Sequence, residues 1–431
     1  MGNEPRPPAS GPALSAPPGL ARRLGTADAT LIGLGSMVGA GVFAAFTPAA
    51  AAAGSGLLIG LAVAGLVAFC NATSSAQLAA VYPASGGTYV YGRERLGPWP
   101  GFLAGWGFVI GKTASAAAMA MTFAAYAAPA GWERPVAVAA VVLLAAVNYR
   151  GITRTALLTR IIVAVVLSAL ALGITAAWTG TGPGAGSFLS EGLLAGGWYG
   201  ILQSAGLLFF AFAGYARIAT MGEEVRDPQR TIPRAITLAL GLALVVYAVV
   251  AVTLLAALGP DGVAATPAPL AAAVDAGPLA WAGPVVRIGA AAASLGALLA
   301  LIAGLGRTTL AMARGGDLPA WLGGIHPKYS VPHRAEVALA VVICLVLLVA
   351  DLRGAIGFSS FGVLVYYLVA NLAALTQPAP DRRYPRALQV LGAVSCAGLA
   401  LTLPLTSVLV GLAVFAAGIV LRLVRVWMQR T

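Results

Sequence analysis

Apolar residues run through this chain in long stretches broken by short polar punctuation, and each stretch has the length of a bilayer crossing. Runs near the ~20 residues that cross a hydrocarbon core can be laid out at 29–54, 56–80, 99–130, 135–148, 155–178, 197–217, 235–258, 280–306, 337–350, 355–376, 387–405 and 406–424. The pattern predicts twelve transmembrane helices. The fourth and ninth runs are short, bounded by Arg134 and Arg150 and by Glu336 and Asp351, and each stands fourth in a set of five. Such correspondence between halves marks an inverted repeat. A repeat of five spans is odd, so its second copy enters the membrane from the opposite side.

The first run carries GLGSMVGAGVF, Gly33 to Phe43, with four glycines in eleven residues. Each costs a helix interior roughly 1 kcal/mol against alanine, yet nothing here is polar enough for an aqueous loop. Unwound backbone at membrane depth survives only inside protein or along a cavity, which predicts a broken helix with amides facing a ligand. Close packing by small residues is the alternative.

Composition agrees with the pattern: 59% of the 431 residues are hydrophobic and 9% charged, against about 25% charged in soluble domains. The net charge of +12 does not point to nucleic acid. With a cytoplasmic N-terminus, Arg134, Arg287 and Arg353 fall outside, Lys112 falls within a span, and all other basic residues face the cytoplasm. The positive-inside rule thus places both termini in the cytoplasm of a multi-pass protein of the cell membrane. Cys70, Cys344 and Cys396 lie inside spans without metal-ligand spacing, and both histidines share one loop, so neither metal nor cofactor is expected.

Four units are expected: a disordered cytoplasmic tail over 1–22, five-helix repeats over 23–180 and 190–376, and two last helices with a cytoplasmic tail over 377–431. The tail is rich in Pro, Ala, Gly and Ser, without the apolar core of a signal peptide. Asp28 is placed to cap the first helix. After Tyr82, a turn at Pro83, Gly86 and Gly87 leads to a short interfacial helix. The connection from Gly259 to Pro284 is expected to cover an outer vestibule, and Arg422, Arg425 and Arg430 to meet anionic lipid.

GSMVGAGVF at 35–43, YPASGGTYVYGRERLG at 82–97, FFAFAGYARIATMGEEVRDPQRTIPRAI at 209–236 and AMARGGDLPAWLGGIHPKYSVP at 311–332 together resemble the amino acid permeases of the amino acid, polyamine and organocation superfamily, near its bacterial members related to cationic amino acid transporters. The resemblance covers roughly residues 24–376. It implies an all-α, leucine-transporter-like fold with a five-plus-five inverted repeat, alternating access, and an amino acid held at the midplane between broken helices 1 and 6.

On that resemblance the substrate carboxylate meets the amides of Gly39, Ala40 and Gly41, with Ser36 and Val42 beside them. The ammonium meets the carbonyls of Phe210 and Ala213, among Phe209, Ala211, Phe212 and Gly214. Phe210 matches an aromatic gate, while core packing is the alternative for Phe209 and Phe212. Glu223 and Glu224, and Arg307, Arg314 and Asp317, read as ion-pair networks of cytoplasmic loops rather than catalytic groups, and nothing else in the chain points to an enzyme. No acidic residue lies mid-span, so neutral amino acids are expected despite the cationic relatives.

The related bacterial transporters carry a lysine midway along the fifth span, but residues 161–172 read IIVAVVLSALAL. Lys112, near the middle of the third span, is the coupling candidate. It replaces that lysine as proton carrier, pairs with an acidic substrate side chain, or merely snorkels or binds backbone carbonyls. The expected partners are an amino acid, a proton in symport, and the bilayer.

Overall fold

The computed structural model describes residues 24–82, 86–151, 156–181, 192–219 and 225–428. The first 22 residues, Glu223 and Glu224 lie outside the described residues. Those described form helices and turns, with one isolated parallel bridge between Leu24 and Val225.

The first run divides into α1 (Thr26–Met37), α2 (Ala40–Ala44) and α3 (Phe46–Ala53), and α4 (Leu57–Val81) is the second. α5 (Thr88–Leu96) is the expected short helix, and Gly97 at φ +100° reverses the chain into α6 (Pro98–Ala127). Pro98 starts α6 without loss, because a first-turn amide has no intrahelical acceptor. α7 (Glu133–Tyr149) and α8 (Ala156–Thr179) follow.

The sixth run is α9 (Gly197–Phe212), a 3-10 turn over Ala213–Tyr215 and α10 (Ala216–Ala219). α11 (Pro228–Ala264) bends at Gly259, which has φ +67° and precedes Pro260. α12 (Pro269–Asp275) buries Leu270, Ala271 and Val274 and packs on α2, α8, α11 and α13 (Gly283–Arg314). Thr47 of α3 donates to the Thr266 carbonyl at 2.6 Å, tying this connection to the first span. α14 (His333–Val349), α15 (Leu352–Leu375), α16 (Arg386–Thr402) and α17 (Leu405–Met428) complete the chain. Asp351 caps α15 by accepting from the Gly354 amide at 2.8 Å.

Among the described residues nine helical stretches are long and apolar enough to cross a membrane, so the chain is a multi-pass membrane protein. α7, α14 and α16, of 17 residues each, stand where the fourth, ninth and eleventh runs were expected. At the centre α6 packs along α13 and α15, α9 along α4, and α1 along α11. The interrupted spans, 26–53 and 197–219, therefore lie inside the helical assembly.

Candidate functional site

Val38 and Gly39 interrupt the first span. Val38 still donates to the Leu34 carbonyl at 2.7 Å. Gly39, at φ −85° and ψ −136°, then turns the chain into α2, which no side chain caps. The amides of Gly39, Ala40, Gly41 and Val42 occupy the stretch where any helix leaves its first N–H groups without intrahelical acceptors. Ser36 turns its hydroxyl back to the Ile32 carbonyl at 2.9 Å, keeping its oxygen free to accept.

The second span tightens instead of unwinding. The Ala213 amide donates to the Phe210 carbonyl, closing the 3-10 turn. That carbonyl keeps one lone pair. The Ala213 carbonyl accepts from Nζ of Lys112 at 3.3 Å, so an ammonium already occupies one of the two oxygens expected to bind the substrate's amino group.

Missing side chains bring the two interruptions into backbone contact. A Cβ on Gly41 would lie 2.7 Å from Cα of Ala211, and one on Gly214 would lie 2.4 Å from the Ser36 carbonyl oxygen. A Cβ on Gly39 would meet that of Ala297 on α13 at 2.8 Å. Gly41 and Gly214 thus serve close helix packing, the alternative weighed above, while the amides of α2 remain at the interruption.

Tyr247 of α11 joins the same two segments. Its hydroxyl lies 2.6 Å from the Met37 carbonyl and 2.9 Å from the Ala211 carbonyl, so its single proton serves one oxygen at a time. Sequence reading missed it, because a tyrosine in an apolar run carries no signal of what it meets. Phe209 and Phe212 are fully buried and pack edge-on against Tyr367 and Tyr247, at 5.8 and 5.0 Å between ring centres. Phe210 keeps 7% exposure.

In the loop after α13, Asp317 gathers a different set from the one expected. It pairs with Arg93 at 2.8 Å and Arg422 at 3.1 Å, and accepts from the Tyr89 hydroxyl at 2.8 Å. Burial, with the hydrogen bond and charge of Asp317, pushes the Tyr89 hydroxyl up to about 12. Arg422 stacks on Trp99 and Phe102 and donates to the Pro98 carbonyl at 2.8 Å, so it sits inside the protein rather than against lipid. Asp28 pairs with Arg160, which links the start of α1 to α8. Glu336, in the first turn of α14, is buried over Gly306, and burial pushes it up to about 7 against the opposing charge of Arg307.

A family profile described as "Amino acid permease" matches residues 24–424. An uncharacterized transporter of Mycobacterium tuberculosis is 60% identical over 403 residues, covering 94% of this chain and 91% of that protein. A branched-chain amino acid permease of Bacillus subtilis is 25% identical over 405 residues, covering 89% and 86%. A methylthioribose transporter of the same organism is 28% identical over 383 residues, covering 83% and 79%. All three are named as transporters rather than enzymes. With the profile spanning nearly the whole chain and its helices crossing the membrane many times, the protein belongs to the amino acid permease family.

Proposed function

We propose that this permease moves small neutral L-amino acids across the cell membrane by alternating access, coupled to protons, with both termini cytoplasmic. The observation that carries the reading is the backbone contact of the two interrupted spans, Gly41 on Ala211 and Gly214 on Ser36. Such a crossing sets a helix start, with its partial positive charge, beside a helix end with its partial negative charge. These are the poles an amino acid zwitterion needs.

The carboxylate is received by the amides of Gly39, Ala40 and Gly41, with Ser36 and Val42 alongside. The ammonium is received by the carbonyls of Phe210 and Ala213, and Phe210 closes over it. Phe209, Ala211, Phe212 and Gly214 hold that turn in shape. Lys112 carries the proton. Among the described residues no acidic side chain lies mid-span to pair with a cationic substrate, and the branched-chain permease among the relatives favours the same class.

The architecture proposed is twelve spans, ten of them in two inverted five-helix repeats as in the leucine transporter, followed by two more. Packing supports it. α1 lies on α11 as α9 lies on α4, and α6 on α15 as α13 on α8. Exchange without a driving ion is the second reading, favoured by the cation-free fifth span, residues 161–172.

Uptake of radiolabelled leucine and alanine into proteoliposomes tests this. Transport responds to an imposed pH gradient and not to a sodium gradient. Failure of the reconstituted protein to move either amino acid, by gradient or by exchange, overturns the proposal.

A further inference from the structure

We infer that Lys112 and the amino group of a bound amino acid exclude one another at the Ala213 carbonyl, so that binding substrate expels the lysine's proton and the two travel in opposite directions. The inference rests on the amino acid reading above and adds the sense of the coupling, which is opposite to symport.

The geometry supplies the competition. The Ala213 carbonyl ends α9, where a helix carries partial negative charge, and it already holds a cationic group, Nζ of Lys112 at 3.3 Å. Lys112 is 7% exposed and stands midway along α6. At 1.5 Å per residue, either end of α6 is ~21 Å away, beyond what the lysine stem can span. The ammonium therefore has no route to the headgroups when a ligand claims its oxygen.

Among the described residues no carboxylate pairs with Lys112. Elements packed on α6 bring Tyr366 and Tyr367 from α15, and the adjoining 3-10 turn brings Tyr215. Their acidic, basic and histidine groups are Arg93, Glu94 and Arg95 on α5, Glu133 and Arg134 on α7, Arg287, Arg307 and Arg314 on α13, His333, Arg334 and Glu336 on α14, Arg353 on α15, and Arg422 and Arg425 on α17, and none of them pairs with Lys112. Tyr126, on α6 itself, is turned to the Phe43 carbonyl, and α2 carries no ionisable group. Two ammonium groups against one carbonyl, at a separation of about 4 Å, repel far more strongly here than in water.

Loss of one proton relieves the repulsion. The N–H bond of the Lys112 ammonium breaks, its electron pair stays on nitrogen, and the proton passes to water that enters with the substrate. The amine left behind carries no charge to oppose the ligand. When the amino acid leaves on the other side, the amine takes a proton from water there. One amino acid thus moves one way while one proton moves the other.

Linkage makes the exclusion measurable from either side. The purified full-length protein in detergent and weak buffer is mixed with L-leucine or L-alanine in the presence of a pH-indicator dye. Binding acidifies the solution by up to one proton per ligand, and affinity rises about tenfold per pH unit where a full proton is displaced. Lys112→Met binds with no proton release and, at low pH, more tightly than wild type. Lys112→Gln, which keeps an uncharged N–H donor on the side chain, gives the same loss of release if methionine destabilises the fold. Binding by wild type without release, or with proton uptake, overturns this inference and leaves the amino acid reading intact. Release that persists in either variant also overturns it. Absence of binding by both amino acids removes the two readings together.

Discussion

Single residues carry the joint between the interrupted spans, and they do so through what they lack as much as through what they present. Gly41 and Gly214 have no side chain to hold the backbones apart, since a Cβ at either would lie within 2.7 Å of the other segment. Tyr247 adds a hydroxyl within hydrogen-bond reach of a carbonyl on each side of the joint. Tyr247→Phe keeps the ring that packs on Phe212 but leaves a buried carbonyl without its donor, a change of about 1–3 kcal/mol. The expected outcome is a melting temperature in detergent lowered by a few degrees together with weaker leucine binding. Unchanged melting and unchanged affinity in Tyr247→Phe would show that the hydroxyl is not what ties the spans.

Between elements, polar side chains act where the apolar pattern gave no sign of them. α4, α15 and α16 meet along a seam in which Ser74 donates to Asn371 at 2.7 Å, Asn371 donates to Asn71 at 2.6 Å, and Cys396 donates to Asn71 at 3.2 Å. Lipid offers no partner to such groups, so they find one another, and helix packing in membranes gains its glue that way. Beyond the end of α13 Asp317 does the same with charge, joining α5, the chain after α13, and α17. Asp317→Ala leaves the Arg422 guanidinium buried without its counter-ion, and breaking a buried pair costs about 3–5 kcal/mol. The variant is expected to melt well below wild type. In a cycle with Arg422→Met the two losses are less than additive, as thermal shift in detergent would read; strict additivity would mean the pair is not coupled.

For the molecule as a whole, pH acts through Glu336 as well as through the site. Its carboxyl titrates at about 7 in the fold against 4.5 for a free side chain, so between those values the folded protein holds a proton that the unfolded chain has lost. Stability therefore falls as pH rises through that window and levels off above it. Glu336→Gln is expected to melt like wild type near pH 5 and above it near pH 8, as melting curves at the two pH values would register. Parallel pH dependence in both proteins would assign the effect elsewhere. The length and spacing of apolar runs determined that this chain lies in a membrane, about how many helices it forms, and that the first run breaks near Gly39. A bilayer reads hydrophobicity and length directly, so those features need no tertiary context. Sequence motifs also located the second interruption, at residues 209–215. Only the tertiary structure decided what meets there: that Gly41 faces Ala211, that Tyr247 bridges both spans, and that Lys112 reaches Ala213 from 101 residues away. It likewise moved Arg422 from the lipid surface to Asp317. The hydropathy of a segment records how it partitions between water and lipid, whereas which helix faces abut depends on small residues and single polar groups whose partners lie far along the chain.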